Sequence, residues 1–599
     1  ALATRGPFCP KIAWSAAIMG LGGMAAEWRP GGNRRRAPGS RERPSTGPRW
    51  VRWALLAEAA AALALVLTAC LGPDTHPDPL YYLLACPERF VREHKVICLP
   101  HNTYAALPGG MYQLYGWQWL LGGESLVRAW RFWLYAAILA VLWRIGAALG
   151  DRDAGLAAAV LFGTMPLFAY HVMHVKDDAE AAFLALLAVL AIAETRRRRR
   201  RRGRSAPPIA ALLAGQAVAI KLTSVVCSPW LLLAAALPGP ARGRGGRLLL
   251  AGAVAGACLA PWLARNTLEH ANPIYPFATG VFRHGRQLNP VFKIRMGQEL
   301  SEPVRPAAGQ PFGMILALFE KVSRESGPAV AIALPFVLLW PLPSGAGAIR
   351  FVTIASGASW VALTNYPRFG LVPWALVILI ASLVMRRFVR GLHHAAPAFG
   401  GLVVLVGALN LGAVFPVWRG EFGGSDLLLG RLHPRSIVRQ RVPRGPWTLL
   451  DRLGARLPRG ATVLLAGDHR ALYWPVRTVN QSFFDTHLLD RIVKESGDER
   501  RAAVRLRQLA THVYLNDDEA ARLKFTYRYP LLHFDNRDRA LLRRLWSRWM
   551  DATGREGPAG LYAVRHSSRA SGPGPRLPLC LDEPALERRM HVVPTVTWQ

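Results

Sequence analysis

Residues Asp74 to Arg89 (DTHPDPLYYLLACPER) set acids, a histidine, two tyrosines and an arginine directly after an apolar run, Trp53 to Leu71, long enough to cross a bilayer. Ionisable groups at a membrane boundary are costly unless solvated or paired, which makes Asp74, Asp78 and Glu88 functional candidates. The alternative is a solvated loop that only joins two spans. Further polar groups stand at the ends of later apolar runs: His171, His174, Lys176, Asp177 and Asp178; then Lys221; then Arg265 and Asn266; then Arg368. Carboxylates next to cations suit transfer chemistry on a phosphate-bearing substrate. Lys and Arg hold phosphate by charge, and Arg adds a two-pronged fork. A carboxylate beside an incoming hydroxyl can serve as general base. Asp177 reads as an N-cap for the helix that follows it, which leaves Asp178 as the chemical candidate. His171 and His174 lie three apart on one helical face, as a metal pair or as hydrogen-bonded histidines at the interface.

The elements that position these groups follow from composition. The chain has 599 residues, 51% of them hydrophobic, with a mean hydropathy of +0.17. Long apolar runs separated by short basic loops indicate a polytopic membrane protein. The formal charge of +36 could point to nucleic acid, but the arginines cluster beside apolar runs, as in Arg196 to Arg202. They are topology signals, and no nucleic-acid partner is expected. The richness in Ala, Arg, Gly and Pro is associated with GC-rich bacterial genomes. No CxxC pair occurs among the seven cysteines, so the spacing gives no structural zinc signature. No metal or other cofactor is indicated. Cys86 and Cys98 share one loop, as a disulfide in an oxidising compartment or as two free thiols.

The positive-inside rule orders the spans. Residues 1–52 read as a basic, disordered cytoplasmic tail, in which residues 1–23 form no clear signal peptide and Met24 is a candidate start. Residues 53–417 then hold about eleven spans, near 53–71, 126–146, 154–172, 179–195, two meeting at Lys221 within 209–237, 248–264, 328–345, 349–364, 369–385 and 397–416. Residues 110–121 are aromatic and half polar, and read as a helix lying at the interface. The large arginine clusters fall inside, and the acidic clusters, which carry little weight in that rule, fall outside. Residues 418–599 change character: strands at 461–467, 511–515 and 561–564 and a helix at 502–510 predict a small external α/β domain ending in a disordered segment.

Several stretches, in order, resemble one family. Asp78-Pro-Leu-Tyr-Tyr82 and Pro87-Glu-Arg-Phe90 are similar to a first external loop of the type "SLxYHLxxPKRY" preceded by aspartate. Pro100 to Tyr112 resembles its continuation, Asp178 with Phe183 resembles "DxxxxF", and Gly215 to Thr223 resembles "GLALGTKYT". Pro261-Trp262, Arg265-Asn266 and Asn272 to Phe277 resemble "PWxxRNxxxxGNPxYPF". Arg368-Phe369 with Pro373 resembles "RFLxP", and Asn516, Glu519, Arg522 and Leu523 resemble "NxxExxRL". The family is that of bacterial membrane glycosyltransferases of the GT-C fold, related to dolichyl-phosphate-mannose protein mannosyltransferases and aminoarabinose transferases. The sequence departs from it at Leu83, where His is usual, at Gly110, where an acid is common, and at Ala271, where Gly is usual.

The resemblance implies an all-α polytopic GT-C-like protein of the bacterial inner membrane, N-terminus inside, with a small C-terminal extracytoplasmic α/β domain. It implies transfer of a sugar from a polyprenyl-phosphate carrier to an extracytoplasmic lipid, glycan or protein acceptor, with inversion. Asp78 would be the catalytic base and Asp178 a supporting acid, with Lys221 and Arg265 as donor-phosphate ligands. Asn266, Tyr82, Arg89 and Arg368 would complete the substrate site. A transporter or flippase, or an inactive scaffold, would bind the same lipid-linked sugar without chemistry.

Overall fold

The apolar runs become helices whose breaks fall at Gly, Pro and charged residues. The computed structural model describes residues 48–582 apart from 100, 203–206, 239–240, 283–312, 340–345, 365, 391–394, 432, 443–444, 480, 483, 526–531, 533 and 570–573. The expected cytoplasmic tail up to residue 47, residues 283–312 between the expected spans 248–264 and 328–345, and the expected disordered end beyond residue 582 lie outside the described residues. The helical part comprises α1 (Arg49–Ala69), α2 (Ala85–Arg92), α3 (Gly110–Ala148), α4 (Arg152–Gly163), α5 (Pro166–Met173), α6 (Asp178–Arg202), α7 (Pro207–Ile220), α8 (Ser228–Ala236), α9 (Arg244–His270), α10 (Gly313–Ser326), α11 (Pro328–Leu339), α12 (Gly347–Leu363), α13 (Leu371–Arg390) and α14 (Ala395–Gly420).

Among the described residues, five helices are long and apolar enough to cross a membrane: α1, α3, α9, residues 367–389 and α14. The bent pair α4 and α5, at 65°, would make a sixth, and 208–220, 328–338 and 347–363 are shorter apolar helices. Length and composition thus identify five or six spans among the described residues, and do not by themselves establish the expected count of about eleven. Several apolar runs are divided: Pro166 restarts the chain after α4, and Lys221 separates α7 from α8, the break expected from the sequence. The 110–121 interfacial helix and the span after it join in α3, kinked at Gly122–Gly123, where Gly123 takes φ +63° and ψ −158°. α3 and α4 then approach backbone to backbone, since a Cβ on Gly146 would collide with the Gly155 Cα. The first span also hides an ionisable group: Glu58 is buried in α1, facing Gly407 of α14.

Beyond α14 come α15 (Gly424–Leu428), α16 (Pro434–Arg441), α17 (Trp447–Leu453), α18 (Leu488–Ser496), α19 (Glu499–Leu509), α20 (Asp517–Phe525) and α21 (Asn536–Trp549). They flank β1 (Thr462–Ala466), β2 (Arg477–Val479), β3 (His512–Asn516), β4 (Met550–Glu556) and β5 (Ala559–Val564), in the order β2-β1-β3-β5-β4. β1 pairs in parallel with β2 and β3, while β5 pairs antiparallel with β3 and β4. The three strands expected from apolar content are β1, β3 and β5. The sheet shares its core with the loop after α1 and the start of α3: Leu80, Tyr81, Met111 and Tyr115 pack in one cluster with Val463, Leu465 and Tyr514. Two backbone amides, Ala471 N and Leu472 N, donate to Leu80 O at 2.9 and 3.1 Å.

Candidate active site

Asp74 anchors the loop that carries the candidate base. Its carboxylate is fully buried and accepts from Arg128 Nη1 at 3.1 Å, from the His76 amide at 2.9 Å and from the Val175 amide at 2.5 Å. His174 Nδ1 lies 3.0 Å from the same carboxylate, and His174 Nε2 lies 3.3 Å from Glu421. Arg128 completes the joint by donating to Ala69 O, Gly72 O and Met173 O. One turn along α3, Arg131 pairs with Glu180 and donates to His171 O and Lys176 O at 2.7 Å each. These two arginines lock the segment after α1 to the segment between α5 and α6. Sequence reasoning passes over them, although two arginines at the expected outer end of a span run against the positive-inside pattern, and that is the available signal.

Asp78 sits beyond this joint and keeps an open edge, with a quarter of its side chain exposed. Its Oδ2 lies 3.3 Å from Lys176 Nζ, 3.7 Å from Arg368 Nη1 and 3.8 Å from His76 Nδ1. Burial pushes the Asp78 carboxyl up, but Lys176, His76, Arg368 and Lys221 outweigh it and hold the group well below the usual carboxylate range. Facing it, Lys221 Nζ is 2.5 Å from Asp177 and 3.0 Å from Asp178. Burial alone would lower the Lys221 ammonium; the two aspartates reverse this and raise it. Asp177 is thus an ion-pair partner of Lys221, more than the N-cap expected of it. Arg368 lies over the rings of Tyr366 and Phe369, at 5.1 and 5.0 Å, and Lys221 over Phe369 at 5.2 Å. The result is a cluster of Asp78, Asp177 and Asp178 with Lys176, Lys221 and Arg368, drawn from four separate stretches of chain.

Of the remaining candidates, Tyr82 stacks on Tyr104 with ring centroids 4.0 Å apart. Burial pushes the Tyr82 hydroxyl well up, and Asp78 and Asp177 add to the shift, which locates Tyr82 beside the cluster. Arg265 and Asn266 brace the far side of the same loop. Arg265 donates to both Glu269 oxygens at 3.1 Å, to Ala105 O at 3.0 Å and to Ile97 O at 3.3 Å. Asn266 donates to Ala106 O and Tyr275 O. Arg89 pairs with Glu93 at 2.6 Å and lines a cavity of about 400 Å³ between α2 and the sheet edge at Arg477 to Val479. Cys86 and Cys98 are both free thiols. His174 is committed to Asp74 and Glu421, so the His171/His174 pair holds no common ligand site.

Comparison places the architecture. ArnT from Cupriavidus metallidurans, bound to undecaprenyl phosphate, superposes with a TM-score of 0.50 at 14% identity, over 88% of this chain and 99% of that one. The chain shares the ArnT fold. That fold is GT-C, the one the sequence motifs resemble. Arabinofuranosyltransferase AftD from Mycobacteria matches at 17% identity over 86% of this chain and 42% of that one, with a TM-score of 0.48. Archaeal oligosaccharyltransferase AglB from Archaeoglobus fulgidus, in complex with an inhibitory peptide and a dolichol-phosphate, matches at 13% identity over 86% and 74%, with a TM-score of 0.47. No protein-family model matches the chain, and no curated protein matches it.

Proposed function

We propose that the chain is an inverting glycosyltransferase that moves a sugar from a polyprenyl-phosphate carrier to an acceptor outside the cytoplasm, with Asp78 as general base. The observation that carries this reading is the Asp78 carboxylate itself. It is ionised, open on one edge, and set among Lys176, Arg368 and Lys221 at the end of the helices. The same cations that hold Asp78 in its weakly basic state are the ones a donor phosphate would draw on. A phosphate bound there would take part of their charge and add its own, moving Asp78 back up towards ordinary carboxylate basicity. The base would then be strongest when donor is bound, and acceptor deprotonation would be coupled to donor occupancy. ArnT, solved with undecaprenyl phosphate, is in keeping with such a carrier.

In this reading Lys221, Lys176 and Arg368 face the phosphate, Asp178 keeps Lys221 charged and aimed, and Tyr82 offers a ring for the sugar. Arg265 would reach an anion only by giving up Glu269, while Asn266 holds the loop. Arg89 lines the cavity below the sheet edge, a place for part of an acceptor. The membrane sidedness also supports the reading. Arg368, in the helical turn just before α13, and Arg386, near its end, stand about 27 Å apart by helical rise, close to the thickness of a bilayer core. Arg386 pairs with Asp153 at 2.6 Å on the side of the α1 N-terminus, the expected cytoplasmic face of a bacterial inner membrane. The test is transfer by purified protein in vesicles, supplied with polyprenyl-phosphate sugars on the sheet-domain side. Product of inverted anomeric configuration is expected. Binding of donor, with no transfer to any of a panel of lipid, glycan and peptide acceptors, would leave the carrier or scaffold reading standing instead.

A further inference from the structure

We propose that Cys98, Glu269 and His270 form a binding site for a zinc-like divalent cation at the outer end of α9. Among the described residues these three bring a thiol, a carboxylate and an imidazole nitrogen to within 4.8 Å of one another. The ligand types are those of zinc: sulfur, nitrogen and oxygen in one small shell. They come from distant parts of the chain, Cys98 from the extended segment after α2 and the other two from the last turn of α9.

Each ligand is set up for the role by its neighbours. His270 stacks on Tyr275, with centroids 4.1 Å apart and planes 14° off parallel, which fixes the ring. Its Nε2 lies 3.9 Å from Glu269 Oε2. Glu269 already accepts from Arg265, but a carboxylate has lone pairs to serve a cation and a guanidinium together. Cys98 is exposed, unlike the buried thiols of Cys70, Cys86, Cys227 and Cys580. A tetrahedral ion would draw the ligand atoms to about 3.3–3.6 Å from one another, a contraction of roughly 1 Å that exposed side chains can make. Binding would release the Cys98 thiol proton to solvent and leave the fourth position to water. The ion would staple the first external loop to the end of α9, beside Arg265, at a place separate from the Asp78 cluster.

Cobalt titration of the purified, metal-stripped protein tests this directly. One equivalent of Co²⁺ should give tetrahedral d–d bands and a thiolate-to-cobalt charge-transfer band, and Zn²⁺ should displace it. Cys98→Ser should abolish the charge-transfer band, and His270→Ala should weaken binding by at least roughly tenfold. Thermal melting of each variant without metal, matching the parent, would show that the fold is retained. Zn²⁺ should also protect Cys98 from a thiol-alkylating reagent. Absence of the charge-transfer band in the parent protein, or its persistence in Cys98→Ser, would overturn the site. Neither readout involves sugar transfer, so the result stands apart from the fate of the glycosyltransferase reading.

Discussion

Arg128 Nη1 and the Asp74 carboxylate meet 3.1 Å apart, with side chains 1% and 0% exposed, and this buried pair sets the position of the loop that bears Asp78. Three residues, Thr75, His76 and Pro77, separate the anchored aspartate from the open one. The division of labour follows from solvation: an aspartate with every lone pair occupied cannot take a proton from a substrate, whereas Asp78 retains a free edge.

Asp74→Asn is expected to act on stability. It leaves the Arg128 charge buried without its counter-ion, and breaking one side of a buried pair costs about 3–5 kcal/mol. The thermal midpoint of the detergent-solubilised variant should fall clearly, and Asp74→Asn with Arg128→Met should recover part of the loss. A midpoint equal to the parent's would show that the pair carries no such weight.

Lys221→Ala is expected to weaken binding of a polyprenyl phosphate by about 10–100-fold, the worth of a charge-assisted hydrogen bond of roughly 1.5–3 kcal/mol. Arg368→Ala should do the same. Titration of the purified variants with undecaprenyl phosphate measures this. Affinity unchanged in both variants would move the phosphate away from the cluster, with Arg265 as the next cation to try.

The sheet domain should become less stable as pH falls below about 6.5. Burial pushes His469 down from 6.5 to about 4, against the pull of Asp468 and Glu519, and pushes His487 down to about 3, with His469 adding to the shift. Between these values and 6.5 the unfolded chain binds protons that the folded domain does not. Stability is therefore full above pH 6.5 and is lost on acidification, by about 1.4 kcal/mol per pH unit for each histidine. Denaturant unfolding at pH 7 and pH 5 tests the slope, and His487→Gln should flatten it. Equal stability at the two pH values would contradict the burial of neutral imidazoles.

Much of this arrangement is legible in the sequence, and the reasons it fails elsewhere are specific. Apolar length locates α1, α3, α9 and α14, and Lys221 falls at the break between α7 and α8 because a lysine is too costly to leave in mid-helix. β1, β3 and β5 show through their buried side chains, whereas β2 (RTV) and β4 (MDATGRE) are short or polar edge strands with little apolar signal. Hydropathy measures apolar length and does not register the bend at Pro166, which divides one expected span into α4 and α5. At the site, residue type points to Asp78, Asp178, Lys221 and Arg368. Only three-dimensional packing reveals that Lys176 is the nearest cation to Asp78, that Asp74 is wholly consumed by Arg128, and that Arg265 faces loop carbonyls.

The transfer chemistry depends most directly on Asp78 as the base. Asp78→Asn keeps the size of the side chain and its place between Lys176 and Arg368 but removes its basicity. The decisive measurement is the single-turnover transfer rate of this variant in reconstituted vesicles, with donor binding measured in parallel. The account predicts a rate lower by about 10²–10⁴-fold with donor still bound. Transfer at the parent rate would contradict it.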